Sequence, residues 1–442
     1  MKPLSRVLHR SLLALFGLAA TGCFDSAHWN TPALQLWKTD GTSAGAAFVR
    51  RLPMRLEWNW LAPVALGDQV LFTLTDGRQG VELWRSDGSV DGTVKVVDLS
   101  PGKAEVGGVG PVPDAVLAVG KTLFFTFADG VHGPELWKTD GTAEGTGLVK
   151  DILPGSAGSF PRQFARLGQR LLFFVEAEPA ALWSSDGTPE GTVQLAPVAW
   201  SLGASAVVGD ALFYRAGGSS DEINVLWRSD GTASGTTRVG DFPVGPANCV
   251  AARGLLFCDV LGELWTSDGT AERTRRIAVI QGMQSDSLIG AGQRVYFATA
   301  TDGKDRELWT SDGTAEGTAS VAAFPDLGAQ AFGAGFARGE PTDLTPLGDV
   351  LYFAGRRPET GYELWRSDGT VAGTRLALDL EPGPTDSFPS SLRALSGRLV
   401  FRSTRGLWST DGTEAGTILV QADDHNPELT VAGDWAYWVI KP

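Results

Sequence analysis

Aspartate is the residue that recurs in this sequence at a spacing where it could do chemistry. Asp40, Asp87, Asp140, Asp186, Asp230, Asp268, Asp312, Asp368 and Asp411 sit in nine copies of Leu-Trp-x-(Ser/Thr)-Asp-Gly-(Thr/Ser). Carboxylate, hydroxyl and carbonyl oxygens crowded into one turn suit calcium, which takes about six to eight oxygens. Each copy supplies one acid, and no second acid repeats; Asp91, Glu144, Glu190, Glu272, Glu316 and Glu414 add oxygens in some copies only. Turn chemistry asks for less. Asp accepts from nearby backbone N–H groups, Gly takes a positive φ without strain, and Thr returns the chain to β. The expectation is nine structural turns and no cofactor, with calcium the metal that the pattern could take.

No catalytic residue emerges. After the first 23 residues the histidines are His28, His132 and His425, far apart and without metal-ligand spacing. There is no nucleophile elbow, zinc-protease helix motif or phosphate-binding loop. An aspartate repeated nine times in equal settings cannot be a unique acid. An active site would have to come from residues that break the repeat: Glu57-Trp58-Asn59-Trp60, the His132 loop, Arg356-Arg357, or the insertion 324–345. Each reads first as a solvated loop.

The cysteines point to export. Lys2, Arg6 and Arg10 precede the apolar run 11–20, which is too short to span a bilayer. Ala20-Thr21-Gly22-Cys23 follows and resembles a bacterial lipobox, with Ala20 where Leu is usual. Cleavage would remove residues 1–22 and leave an acylated Cys23 on a tether, 23–32, that reaches roughly 35 Å. Cys249 and Cys258 remain. A hairpin turning at Arg253-Gly254 would set them opposite each other as a disulfide, although neighbouring units turn about one residue away. Two buried free thiols are the alternative.

The elements that hold these residues follow from the repeat. The motif tryptophans are Trp37, Trp84, Trp137, Trp183, Trp227, Trp265, Trp309, Trp365 and Trp408, spaced 38 to 56 residues apart. That spacing accommodates four short strands with turns. Residues 391–422 read as four strands: SLRALS, RLVFRST, GLWSTD and GTILVQA. Adjacent Leu and Trp point to opposite faces of a strand, so each fills a different layer between packed blades. The tryptophans are therefore read as core rather than as a sugar-stacking ring. The first motif lacks the strand pair before it, and Gly433 to Trp438 lacks the Leu-Trp strand after it. Joining the two halves gives one β-propeller of nine four-stranded blades over residues 33–442, with eight the runner-up should the unit ending near Trp265 be degenerate.

Glu82 to Gly88, Glu135 to Thr142, Glu307 to Thr314 and Glu363 to Thr370, with Gly145-Thr146, Gly317-Thr318 and Gly373-Thr374 behind three of them, resemble the ELWxxDGT repeats of bacterial secreted and surface proteins. Ala181, Val225 and Gly406 replace the usual Glu, Arg273 replaces the second Gly, and Ser89 replaces a Thr. The resemblance implies a propeller-like fold and carries no general activity.

With 37 basic against 51 acidic side chains, the net charge is −14. This argues against nucleic-acid partners and against adhesion to anionic lipid, leaving the lipid on Cys23 as the membrane contact. The function expected first is a lipid-anchored binding or scaffolding module in the bacterial cell envelope, meeting a protein or polysaccharide at the propeller rim. The alternatives are a structural envelope component and a glycan-active hydrolase or lyase.

Overall fold

The computed structural model describes residues 34–52, 63–75, 80–101, 115–198, 204–216, 224–242, 246–301, 305–325, 341–422 and 429–440. They form an all-β propeller of nine four-stranded antiparallel sheets in a ring. Blades 1 to 8 run 64–98, 116–150, 161–197, 205–241, 248–279, 289–324, 342–378 and 390–422. The short unit ending near Trp265 is a complete blade, which excludes the eight-bladed alternative. Among the described residues, the helical structure is one 3-10 turn, Ser285–Ser287.

Blade 9 is composite. Thr430–Ala432 and Trp435–Ile440 supply its inner half, and Leu34–Thr39 and Ala47–Leu52 its outer half. Trp37 lies opposite Trp438, and their rings stack at 6.3 Å. The pairing satisfies two strand edges that would otherwise invite association.

The Leu-Trp step explains how blades pack. Each of nine apolar clusters lies between two blades and takes the motif Leu of one with the motif Trp of the next: Leu83 with Trp137, Leu308 with Trp365, Leu407 with Trp37. All nine leucines are 0 or 1% exposed, each contributing about 2 kcal/mol by burial. Trp84, Trp137 and Trp365 are also buried, whereas the other six tryptophans keep an edge in solvent, as a ring too large for its layer does. In every blade the fourth strand carries a β-bulge opposite this step, as where Leu364 faces Leu378 and Trp365 faces Leu376, leaving Ala377 extra. Bulges strengthen the local twist of a blade.

Topology divides the ring into two faces. First-to-second hairpins and third-to-fourth turns share one, here the turn face; second-to-third and fourth-to-first connections share the other, the connection face. The turn face is uniform. Its hairpins close in two residues, and in every copy the second Gly position lies eight residues after the Trp. The connection face absorbs all the variation in repeat length.

Candidate functional site

The nine aspartates bond inside their own turns. Asp140 Oδ1 accepts from the Thr142 N–H at 2.9 Å and from its hydroxyl at 2.7 Å. Thr142 Oγ1 in turn accepts the Gly145 N–H at 3.0 Å, and the Thr139 and Thr146 hydroxyls pair at 2.6 Å. The same two bonds to Asp form in all nine copies. The hydroxyl bond is the main reason that each of these carboxyls is held below its ordinary range. The second Gly is there for space: a Cβ on Gly145 would meet Asp140 Oδ1 at 2.1 Å. Where Arg273 replaces that Gly, its guanidinium turns to Asp268 at 3.5 Å. Among the described residues, no group of three or more His, Cys, Asp or Glu is placed to hold a metal.

Basic side chains tie several of these turns to the blade before. Arg85 donates to the Gly141 carbonyl (3.0 Å), Lys138 to Gly187 (2.7 Å) and Lys150 to Thr192 (2.8 Å). The turn face is thus braced by the motif itself.

Glu of the motif has two uses. Glu82, Glu263 and Glu307 accept the indole N–H of the Trp two residues on, at 2.9 to 3.0 Å. Glu135 and Glu363 are buried and turn instead to the connection leading into the next blade. Glu363 accepts from Leu380 N (2.9 Å), Ser387 N (3.1 Å) and Ser387 Oγ (2.7 Å). Glu135 holds Ile152, Leu153 and Ser159 in the same way. Burial pushes the carboxyl of Glu135 up and that of Glu363 up to about 7, against the pull of these bonds. The indole nitrogens of Trp137 and Trp365 are left buried without an acceptor, the cost of diverting the Glu. Their equivalence is written in the sequence as Asp151-Ile-Leu-Pro-Gly to Ser159-Phe-Pro161 and Asp379-Leu-Glu-Pro-Gly to Ser387-Phe-Pro389. That second repeat was missed because the Leu-Trp motif dominates the pattern.

The cysteine hairpin turns at Arg253-Gly254, with Cys249 opposite Cys258 and their sulfurs bonded. The apparent offset between units comes from turn type. Seven blades place Gly first in the two-residue turn, at φ 55 to 62°, whereas this one and Ser396-Gly397 place it second. Loop length, and so register, is the same.

The residues that break the repeat scatter. His132 Nδ1 pairs with Asp129 at 2.9 Å in the loop between the second and third strands of blade 2, which raises the imidazole pKa. Arg356 pairs with Asp386 at 2.9 Å, and the Arg357 guanidinium lies over Trp365. Cys23, Glu57-Trp58-Asn59-Trp60, His28, His425 and most of the insertion 324–345 lie outside the described residues.

What converges instead is the described end of that insertion, Pro341 to Leu344, with a turn that sequence reading passed over, Gln284 to Leu288. At the connection face, between the inner strands of blades 6 and 7, lies a cavity of about 380 Å³. One wall is the 3-10 turn with Gln284 and Leu288; the other is the start of the blade 7 inner strand, Pro341 to Leu344. Asp343 sits on a bulge at φ 53°. The inner strands around it reduce hydration of its carboxyl and push the pKa up, although solvent still reaches the side chain; the Ser391 N–H and Arg393 pull it back. Gln163 and Ser391 occupy matching bulges in blades 3 and 8, also at positive φ. A non-Gly residue in this region costs about 1–3 kcal/mol and clusters at functional positions. These three inner strands have six or seven residues, against three to five elsewhere.

Among the described residues, no helix is long and apolar enough to cross a membrane. No family model matches the sequence, and no curated protein matches it. Of solved structures, a puromycin hydrolase is 14% identical, with TM-score 0.40, over 80% of this chain and 60% of its own. This chain therefore spans about three fifths of that enzyme's length. AztD of Citrobacter koseri is 11% identical, with TM-score 0.44, over 81% of this chain and 97% of its own. BamB of Moraxella catarrhalis is 11% identical, with TM-score 0.38, over 65% of this chain and 77% of its own. Likenesses this remote carry no activity, ligand or partner over to this chain.

Proposed function

We propose that this protein is an exported β-propeller of the bacterial cell envelope, anchored by lipid on Cys23, that binds or scaffolds a protein or polysaccharide. The observation that carries the reading is the division between faces. Nine near-identical turns build one face, and every connection of variable length lies on the other, where binding loops on a rigid scaffold are expected. The ELWxxDGT resemblance and the lipobox-like Ala20 to Cys23 support export. An enzymatic reading has less support, because the residues that break the repeat, such as His132 with Asp129 in blade 2 and Arg356 with Asp386 at blade 7, scatter rather than converge.

In-cell photo-crosslinking tests the face assignment. A photoreactive residue replaces the exposed Val131 or Leu261 on the connection face, or Val90 or Val371 on the turn face. Adducts to an envelope protein or glycan are expected from the first pair only. Equal adducts from both pairs, or adducts from the turn face alone, would refute it. Labelling with radioactive palmitate, present in the parent and absent in Cys23→Ser, tests the anchor separately.

A further inference from the structure

The connection 379–389 crosses the connection face from the outer strand of blade 7 to the inner strand of blade 8. This strap is seated on one buried side chain. Glu363 is 0% exposed and accepts from Leu380 N, Ser387 N and Ser387 Oγ, near the two ends of the strap. The strap in turn ties its neighbours together. Asp386 accepts from Tyr362 N at 2.8 Å, and the Ser387 carbonyl accepts from Thr404 N of blade 8 at 2.9 Å. A Cβ on Gly361 would meet the Thr385 carbonyl at 2.1 Å, so the strap lies directly on the hairpin backbone of blade 7. Seating it therefore fixes the loops at 357–361 and at Thr404 as well.

Every donor on Glu363 is neutral. The charged side chains on the elements packed about it are Asp379, Glu381 and Asp386 of the strap, Arg356 and Arg357 of the paired strand, and Arg402 and Arg405 of blade 8. Arg356 pairs with Asp386, Arg405 with Glu381, and Arg357 lies over Trp365. Arg402 is buried opposite Ser390, and the Tyr362 hydroxyl is paired with that of Thr342. Among the described residues, no cation pairs with Glu363. A buried carboxylate without a cation is costly, and the geometry accommodates its neutral form. Ser387 Oγ lies within reach of two acceptors, Glu363 Oε2 at 2.7 Å and the Tyr362 carbonyl at 3.2 Å, and has one proton to give. A proton on Glu363 Oε2 satisfies both contacts: the carboxyl donates to Ser387 Oγ, and Ser387 donates to the Tyr362 carbonyl. When that proton leaves to solvent, one contact loses its hydrogen and the buried group carries an unpaired charge. Lifting the strap returns the carboxylate to water.

We propose that segment 379–389 is a pH-dependent latch on the connection face, seated while Glu363 is protonated and released as it ionises. The direction follows from linkage. Burial, with the like charge of Asp379, raises the seated carboxyl from 4.5 to about 7, against the pull of the Ser387 and Leu380 donors. Exposure on lifting returns it toward 4.5. The seated strap thus binds more protons between those values, and lifting becomes easier as pH rises through that window. The latch goes beyond the binding-module reading and depends on neither the anchor nor the identity of a partner.

The test is hydrogen–deuterium exchange, read by mass spectrometry on the full-length protein in detergent between pH 6 and pH 8. Each rate is divided by the rate of the unfolded peptide at the same pH, which leaves the protection due to structure. Protection of peptides spanning 379–389 should fall about tenfold over this interval. It should stay flat in Glu363→Gln, whose amide imitates the protonated carboxyl. Peptides spanning 151–161, the strap held by Glu135, should not respond to that substitution. An equal fall in parent and variant overturns the proposal, as does constant or rising protection in the parent. A fall of the same size in every peptide also overturns it, because the whole ring would then be opening. If Glu363→Gln does not fold, Asp379→Asn decides: removing the like charge should move the loss of protection to lower pH, and an unmoved profile overturns the proposal.

Discussion

Glu82 and Glu363 stand at the same place in the repeat and serve different neighbours, and the reason is the loop overhead. Where the fourth-to-first connection brings Ser387 and Leu380 down onto the strand end, the carboxylate takes their N–H groups; elsewhere it takes the indole. Ionising the buried Glu363 is costly, so its pKa rises from 4.5 to about 7. Between those values the native state binds more protons than the unfolded chain, and stability falls as pH rises through that window. Urea midpoints should therefore drop for the parent from about pH 5 to pH 7.5 and stay flatter for Glu363→Gln. An equal slope in both would show that the carboxyl titrates normally. The turn aspartates have the opposite sign: their contribution is present above 3.8 and drains as pH falls below it. Because their Oδ1 atoms are engaged within the turns, calcium at millimolar excess should not shift the thermal midpoint relative to chelator. A rise of several degrees, the mark of a ligand that binds only the folded state, would make the turns metal sites.

At the level of elements, the turn was the most legible feature. Asp, Gly and Thr at fixed offsets each have a local reason to be there, and the bonds around Asp140 are all made within eight residues. The cysteine hairpin was legible in its partners and obscure in its register, because a Gly moved from first to second place in a two-residue turn changes turn type without changing length. Cutting that staple by Cys249→Ala with Cys258→Ala should cost about 2–4 kcal/mol in the chain-entropy picture, read as a lower urea midpoint. No change would mean that the hairpin is held by its strand pairing and buried neighbours alone. The Leu-Trp bulge was not legible. It lies in the fourth strand, whose sequence carries no special residue at the extra position: Ala377 in one blade is Val96 in another.

The ring is one object because the last strands reach the first. Thr430 donates to the Pro63 carbonyl at 2.7 Å across the join, and Leu407 of blade 8 packs with Trp37 of blade 9. Ending the chain before Leu429 should therefore strip Leu34–Thr39 of its inner neighbour and expose both the Val70–Phe72 layer and the Leu407 layer. The expected outcome is aggregation or loss of cooperative melting, whereas a variant melting like the parent would mean that eight blades close alone. Sequence by itself determined the repeat, the strand content, the composite closure and the turn chemistry, because these depend on contacts within one unit and on a count of units. Tertiary structure decided the exclusion of eight blades, the pairing of each Leu with the next blade's Trp, the diversion of Glu135 and Glu363, and the cavity between blades 6 and 7. Each of these joins residues from different strands or blades, and a linear pattern holds no record of which of them the ring brings together.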